Sequence, residues 1–259
     1  MKILVGLKHV PHTETKIKVT TDGDLDESGI KWVMSPYDEY ALEQALLIRE
    51  ALGEGEVVIV CAGREASRST LRQGLAMGAD RAVLIQDDRF ERCDALLRAK
   101  ALAQTATSEG AELVLLGKYG VGTDEWQTAP MLAELLGWPQ VTAVSRLDLD
   151  GQRITAARAV EGALEIHEVQ LPAVISCEKG LNTPRYASLK GIMQAKKKPI
   201  DEKTAADVGV DDAALSNPKL VWESIELPEG RSAAVMIDGE PKEAATRLVQ
   251  LLRDESKVI

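Results

Sequence analysis

Leu113-Val-Leu-Leu-Gly-Lys-Tyr-Gly-Val-Gly-Thr-Asp-Glu-Trp-Gln-Thr128 decides the fold class. Leu113 to Leu116 is a short apolar run, as expected of a strand buried on both faces. Gly117 ends it. A loop with Gly120 and Gly122 follows, and Thr123-Asp124 precede a run that reads as helix, with Gln127 and Thr128 in its first turn. Glycines let backbone N–H groups approach a ligand, and a helix N-terminus attracts anions. Two readings stand: a cradle for a nucleotide phosphate, or an ordinary βα turn capped by Thr123 or Asp124. The stretch is neither G-x-G-x-x-G nor a P-loop.

Working outward, strand and helix patterns alternate. Ile3–Leu7, Val57–Val60 and Ala82–Ile85 read as buried strands. Ser35-Pro36-Tyr37-Asp38 opens a helix to Leu52 with its core face at Ala41, Leu42, Ala45 and Leu46. Ser67–Met77 and Asp94–Thr107 are further helices, the latter with core face Ala95, Leu96, Ala99 and Leu102. Lys16–Val19 is a possible edge strand, followed by a turn at Thr21–Asp24. The alternation predicts an α/β, Rossmann-like, mostly parallel sheet with helices on both faces. Ligands of such sheets sit beyond the carboxyl ends of the strands, so the loops at Lys8–Val10, Cys61–Gly63 and Tyr119–Asp124 belong to one pocket, joined by Ser35–Asp38 if it folds back there.

After Trp138 the pattern changes. Val141–Asp148, Arg153–Val160, Leu164–Val169 and Ala173–Ser176 read as an antiparallel segment. Leu181–Tyr186 is a loop restrained by Pro184, and Ser188 caps a helix reaching Lys196-Lys197-Lys198, which complement its dipole. Beyond Ile200 the pattern weakens up to an amphipathic helix at Lys242–Leu252. The predicted division is an α/β domain over 1–200 and a C-terminal arm over 201–259 that packs on a partner.

The 259 residues are 45% hydrophobic, enough for a sizeable core. Aromatics are only 3%, with Phe90 the single Phe, and the net charge is −10; both argue against nucleic-acid binding. Cys61, Cys93 and Cys177 form no C-x-x-C and read as small buried apolar residues. His9 and His12 read as solvated loop histidines. No signal or transit pattern opens the chain and no apolar run is long enough for a bilayer, so a soluble, cytoplasmic protein is expected.

Arg158-Ala-Val-Glu-Gly-Ala-Leu-Glu165, Leu171-Pro-Ala-Val-Ile-Ser176 and Leu181-Asn-Thr-Pro-Arg-Tyr-Ala-Ser-Leu-Lys-Gly-Ile-Met-Gln-Ala-Lys-Lys-Lys198 resemble the electron transfer flavoprotein β subunit family. The likeness extends to Lys2–Lys8, Ser35–Tyr37, Leu75–Arg81, Gly117-Lys118 and Trp138–Gln140, covering most of the chain. It implies an adenine-nucleotide-binding fold and a heterodimer with an α subunit that holds most of a redox-active FAD. Electrons would arrive from flavoprotein dehydrogenases and leave to a quinone oxidoreductase or another acceptor. The β chain would bind a structural AMP. Positions matching the family's cofactor contacts are Gly6, Lys8, Ser35, Pro36, Tyr37, Ala62, Gly63, Gly120, Val121, Gly122, Thr123, Asp124, Gln127 and Thr128, with Tyr37 near the partner's FAD. Leu189 matches a leucine that anchors in a dehydrogenase pocket, with Arg185, Tyr186 and Lys190 beside it. The flavin carries the chemistry, so no catalytic residue is expected here, including among His9, His12 and His167.

Two departures stand out: Ala159 where many relatives have an acidic residue, and Thr13 where a tyrosine often lies near the flavin. In electron-bifurcating relatives a second FAD replaces AMP, often with an Asp-Gly-Asp-Thr-like loop. Here the loop reads Gly122-Thr-Asp-Glu-Trp-Gln-Thr128, which favours AMP. A flavin-free adenine-nucleotide-binding protein is the other alternative.

Overall fold

A computed structural model describes residues 1–230 and 233–259. The chain opens with β1 (Lys2–Gly6), a small ribbon of β2 (His9–Pro11) and β3 (Trp32–Met34), and helix α1 (Pro36–Leu52). Next come β4 (Glu56–Gly63), α2 (Arg68–Met77), β5 (Arg81–Gln86), α3 (Ala95–Glu109), β6 (Leu113–Gly117) and α4 (Thr128–Leu136). The second half has β7 (Gln140–Asp150), β8 (Arg153–Val160), β9 (Ala163–Gln170), β10 (Ala173–Cys177), α5 (Leu189–Ala195), β11 (Ile200–Lys203), α6 (Asp212–Ser216) and α7 (Pro241–Gln250).

The main sheet runs β11-β5-β4-β1-β6-β10-β7-β8-β9. From β11 to β7 every pairing is parallel, and β7-β8-β9 is an antiparallel meander. Alternate residues of one strand feed opposite layers, as the period of two requires. Ile3 and Val5 pack with α1 and α2, whereas Leu4 packs with α3 and α4. β4 and β6 lie on opposite sides of β1, so β1 and β6 flank a topological switch point where loops diverge and leave room for a ligand.

The structure corrects several expectations. Ala173–Ser176 is not antiparallel: β10 fills the gap between β6 and β7, parallel to both. Its apolar run is that of a strand buried on both faces, and the meander before it hid that. Lys16–Val19 forms only an isolated bridge from Val19 to Leu25. Val10 lies in the antiparallel pairing of β2 with β3, a pair too short to show a period. Helix α3 buries Leu97 rather than Leu96. Ile200–Lys203 extends the sheet beyond β5, and Ala205, Val208, Val210 and Leu215 are buried against its second layer. From Lys219 onward no described residue is buried, although Trp222, Leu227, Val235, Met236 and Leu248 are apolar. The helix ahead of Lys196-Lys197-Lys198 ends at Ala195, and Lys198 Nζ donates to the carbonyls of Leu75 and Ala79 at the end of α2. The triplet's last residue thus serves a neighbouring helix.

Among the described residues, no helix is long and apolar enough to cross a membrane.

Candidate functional site

At the switch point a cleft of about 870 Å3, mouth included, opens between the carboxyl ends of β1, β4 and β6. Its floor is small by necessity. A Cβ at Gly6 would collide with the Leu116 side chain, and one at Gly117 with the Asp38 carboxylate and Tyr37. Glycine at 117 therefore lets the start of α1 close on the end of β6.

Asp38 holds that closure. Its carboxylate accepts the backbone N–H of Lys8 at 2.7 Å and of Gly117 at 3.0 Å, joining two strand ends through the first turn of α1. Burial raises its carboxyl to about 7, against the pull of these two donors and the Lys8 ammonium.

Lys8 spans the mouth. Its Nζ donates to Thr123 Oγ1 at 2.8 Å, and burial, helped by the Arg98 guanidinium, lowers it to about 8. Arg98 pairs with Glu125 at 3.3 Å and donates to the Phe90 carbonyl. His9 is buried, its Nδ1 2.8 Å from Thr70 Oγ1. Its ring stacks on Trp32 with centroids 5.0 Å apart, and Arg64 also lies over Trp32. Burial lowers His9 to about 4, which keeps it neutral. The expectation of a solvated loop histidine fails for His9 because the β2–β3 ribbon folds it inward.

One wall is aromatic. Tyr37, Tyr119 and Trp126 form a row with centroid separations of 4.5 and 5.6 Å, and the two tyrosine hydroxyls are 3.1 Å apart. Lys118 Nζ lies 4.6–5.2 Å from all three ring centroids and pairs with Glu178 at 2.5 Å. Such cation–π geometry pins the lysine and rings together.

Can this cleft hold a nucleotide? Ser67 Oγ and His9 Nε2 line it, are buried and have no protein partner. Buried polar atoms are usually satisfied, so two orphans on residues lining one cavity fit a polar ligand. Thr128 and Ala129 open α4 with backbone N–H groups that have no intrahelical acceptor. Lys8 adds a cation. These donors suit a phosphate, and Gly6 and Ala62 leave space beside it.

Beyond the cleft, α5 projects an apolar row. Tyr186 is 98% exposed, Leu189 83% and Met193 70%, with Ile192 between them. Ser188 caps the helix by accepting the Gly191 N–H at 3.0 Å.

Comparison with known proteins gives the same answer along the whole chain. The electron transfer flavoprotein domain model matches residues 22–208. "Electron transfer flavoprotein subunit beta" of Bacillus subtilis (strain 168) is 39% identical over 260 residues, covering 100% of both chains. The Bradyrhizobium diazoefficiens protein of the same name is 41% identical, again over 100% of both. The Homo sapiens protein is 38% identical over 92% of this chain and 93% of its own.

The chain belongs to the electron transfer flavoprotein β subunit family.

Within this β subunit fold, Gly6, Lys8, Ala62, Gly120, Thr123, Gln127 and Thr128 line the cleft together. Gly63 lies just beyond Ala62, facing Ser67 and Glu91. Ser35, Pro36, Val121, Gly122 and Asp124 do not line it, and Tyr37 stands in the aromatic row. The helix expected after Asp124 begins only at Thr128, with Gln127 as its N-cap. Asp124 and Trp126 have positive φ, 48° and 57°, so the chain coils through the loop before the helix starts. Of the residues expected at the partner contact, Arg185 is half-buried and bound to Glu43 and Glu50 of α1, and does not stand free. Tyr186, Leu189 and Lys190 do.

Sequence reading missed Ser67, Arg98 and Trp126 as cleft residues, and it brought Asp38 to the pocket only as the end of the segment Ser35–Asp38. Nothing local marked Asp38 as the buried tie between two segments, since an acidic residue in a first turn normally faces solvent and the dipole. Arg98 and Ser67 look like ordinary helix residues.

Proposed function

We propose that this β-family chain is the nucleotide-bearing subunit of a two-subunit electron carrier. Its cleft binds AMP, with the phosphate at Lys8 and the first N–H groups of α4. Its partner is an α subunit holding the redox FAD, which supplies the electron chemistry when bound. Flavoprotein dehydrogenases deliver electrons, and a quinone oxidoreductase or another acceptor removes them. The chain is an electron-transfer subunit whose own residues bind, orient and shield; it contributes no acid–base chemistry.

The observation that carries this reading is the cleft: a cation, unpaired helix N–H groups and two orphaned polar atoms face one space at the switch point. The same geometry supports a structural role for AMP. Asp38 ties β1 to β6 from behind, and a ligand across the mouth would tie the loop at 119–127 to both. The exposed segment from Lys219, which buries none of its own apolar side chains, is the arm that packs on the α subunit. The row Tyr186–Met193 is the face shown to the donor dehydrogenase.

The experiment is to purify the chain with the α-type subunit of the same cell and extract the cofactors. One FAD and one AMP per heterodimer is the expected result. Two FAD and no AMP would replace the AMP reading with a bifurcating one, and no flavin would overturn the electron-carrier reading.

A further inference from the structure

Residues 181–188 form an irregular segment, yet it is held from several directions. Arg185 is the centre of that hold. Its backbone N–H donates to Glu43 Oε2 at 3.1 Å, and its guanidinium reaches both oxygens of Glu43 at 2.8–3.1 Å. The same guanidinium reaches both oxygens of Glu50 at 2.6 and 3.1 Å. Glu43 is buried at 4% exposure on the face of α1 otherwise given to Leu42 and Leu46. A buried carboxylate needs a paired, hydrogen-bonded partner, and Arg185 is that partner. Asn182 adds bonds to the Tyr40 carbonyl and to Gln44, also buried on α1. The far end is held by α2, where Arg72 donates to the carbonyls of Ala195 and Lys198. A Cβ at Gly191 would collide with the Ala76 carbonyl, so α5 lies directly on α2.

Between these two anchors, Tyr186, Leu189 and Met193 have almost nothing against them. Exposed apolar side chains lower the stability of a free chain and are useful only if their frame is already fixed when a partner arrives. A guanidinium bonded to two carboxylates has little charge left to offer a partner.

We propose that Arg185 is a positioning residue for the donor contact, clamping the 181–188 segment onto Glu43 and Glu50 so that Leu189 is presented in one orientation, and that it does not itself steer the partner electrostatically. This rests on the reading of Leu189 as part of the donor-docking face.

The test uses the intact heterodimer and, as probe, the flavoprotein dehydrogenase purified from the source cells by its ability to reduce the wild-type complex. Four proteins are compared: wild type, Arg185→Gln, Leu189→Ala and the double variant, with Arg185→Lys as a fifth. Arg185→Gln should raise the KM for the carrier about tenfold with kcat kept, since only docking loses preorganisation. Amide exchange over 181–193 should quicken in the same variant while that of β1 and β6 stays as in wild type. Arg185→Lys should remain impaired, because an ammonium cannot bridge the two carboxylates. In the Leu189→Ala background, Arg185→Gln should add little, as expected of two residues acting through one contact. Restoration of wild-type KM by Arg185→Lys, or full additivity of the two substitutions, would overturn the clamp in favour of direct charge contact. An unchanged KM in Leu189→Ala alone would instead overturn the docking reading beneath it.

Discussion

Lys8 and Thr123, 115 residues apart in sequence, meet across the mouth of the cleft, with Nζ donating to Oγ1 at 2.8 Å. One residue lies between β1 and β2 and the other sits in the loop after β6. Their contact places a partly desolvated cation where an anionic ligand would enter.

AMP affinity should therefore depend on pH through Lys8. Burial lowers its pKa to about 8, so below that value the ammonium is present and attracts the phosphate. Above it, binding must be accompanied by protonation, and affinity should fall by up to about tenfold per pH unit. Calorimetric titration of nucleotide-stripped heterodimer from pH 7 to 9 measures this. Lys8→Gln should bind weakly and with a flat profile; a wild-type affinity independent of pH would exclude Lys8 as the phosphate cation.

Asp38 should mark the stability profile. Its folded-state pKa is raised to about 7, above that of an unfolded aspartate. The folded state thus holds a proton that the unfolded chain has released. The stability this contributes is complete below about pH 4 and is lost as pH rises through about 7, at no more than about 1.4 kcal/mol per pH unit. Urea unfolding of wild type and Asp38→Asn between pH 5 and 8 isolates the group. The wild type should lose ground relative to the variant as pH rises, and parallel curves would refute the assignment.

Gly122 should act through its backbone. It has φ +94° and open space around the position of a Cβ, so a larger side chain would not strike the cleft. Gly122→Val should still strain the loop by roughly 1–3 kcal/mol and loosen the ligand indirectly. Gly122→Ala should show most of the same loss of bound AMP. A large Val effect with no Ala effect would mean steric blockage.

Leu189 is 83% exposed, so Leu189→Ala should leave stability within about 0.5 kcal/mol of wild type. Differential scanning calorimetry of the heterodimer gives the comparison. A core position would cost roughly 2–5 kcal/mol, and a loss of that size would show that the leucine is buried in solution.

Removal of residues 219–259 should leave the α/β body folded, because no described residue in that stretch is buried. A chain ending at Pro218 should melt cooperatively and keep the helix and strand content of the body by circular dichroism. It should fail to co-purify with the α subunit, and retained pairing would place the heterodimer contact elsewhere.

The sequence by itself determined the layered α/β plan. Apolar runs of strand length alternate with helical faces such as Ala41, Leu42, Ala45 and Leu46, all fully buried as their spacing demands. Family motifs spread along the chain likewise point to the β subunit family. What the sequence did not carry were the relations between distant segments. The apolar run along Ala173–Cys177 says that a strand exists but not that it slides between β6 and β7, since pairing is chosen by neighbours far away in sequence. The sequence placed Arg185 only beside the Leu189 contact and gave no partner for Glu43. Only the fold, bringing together positions 142 residues apart, made each the explanation of the other. Asp38 was hidden in the same way, because its burial depends on two strand ends converging over the first turn of α1. Periodicity is a local property and survives in a string of letters; the desolvation and pairing of charged groups depend on which surfaces meet, and tertiary structure alone decides that.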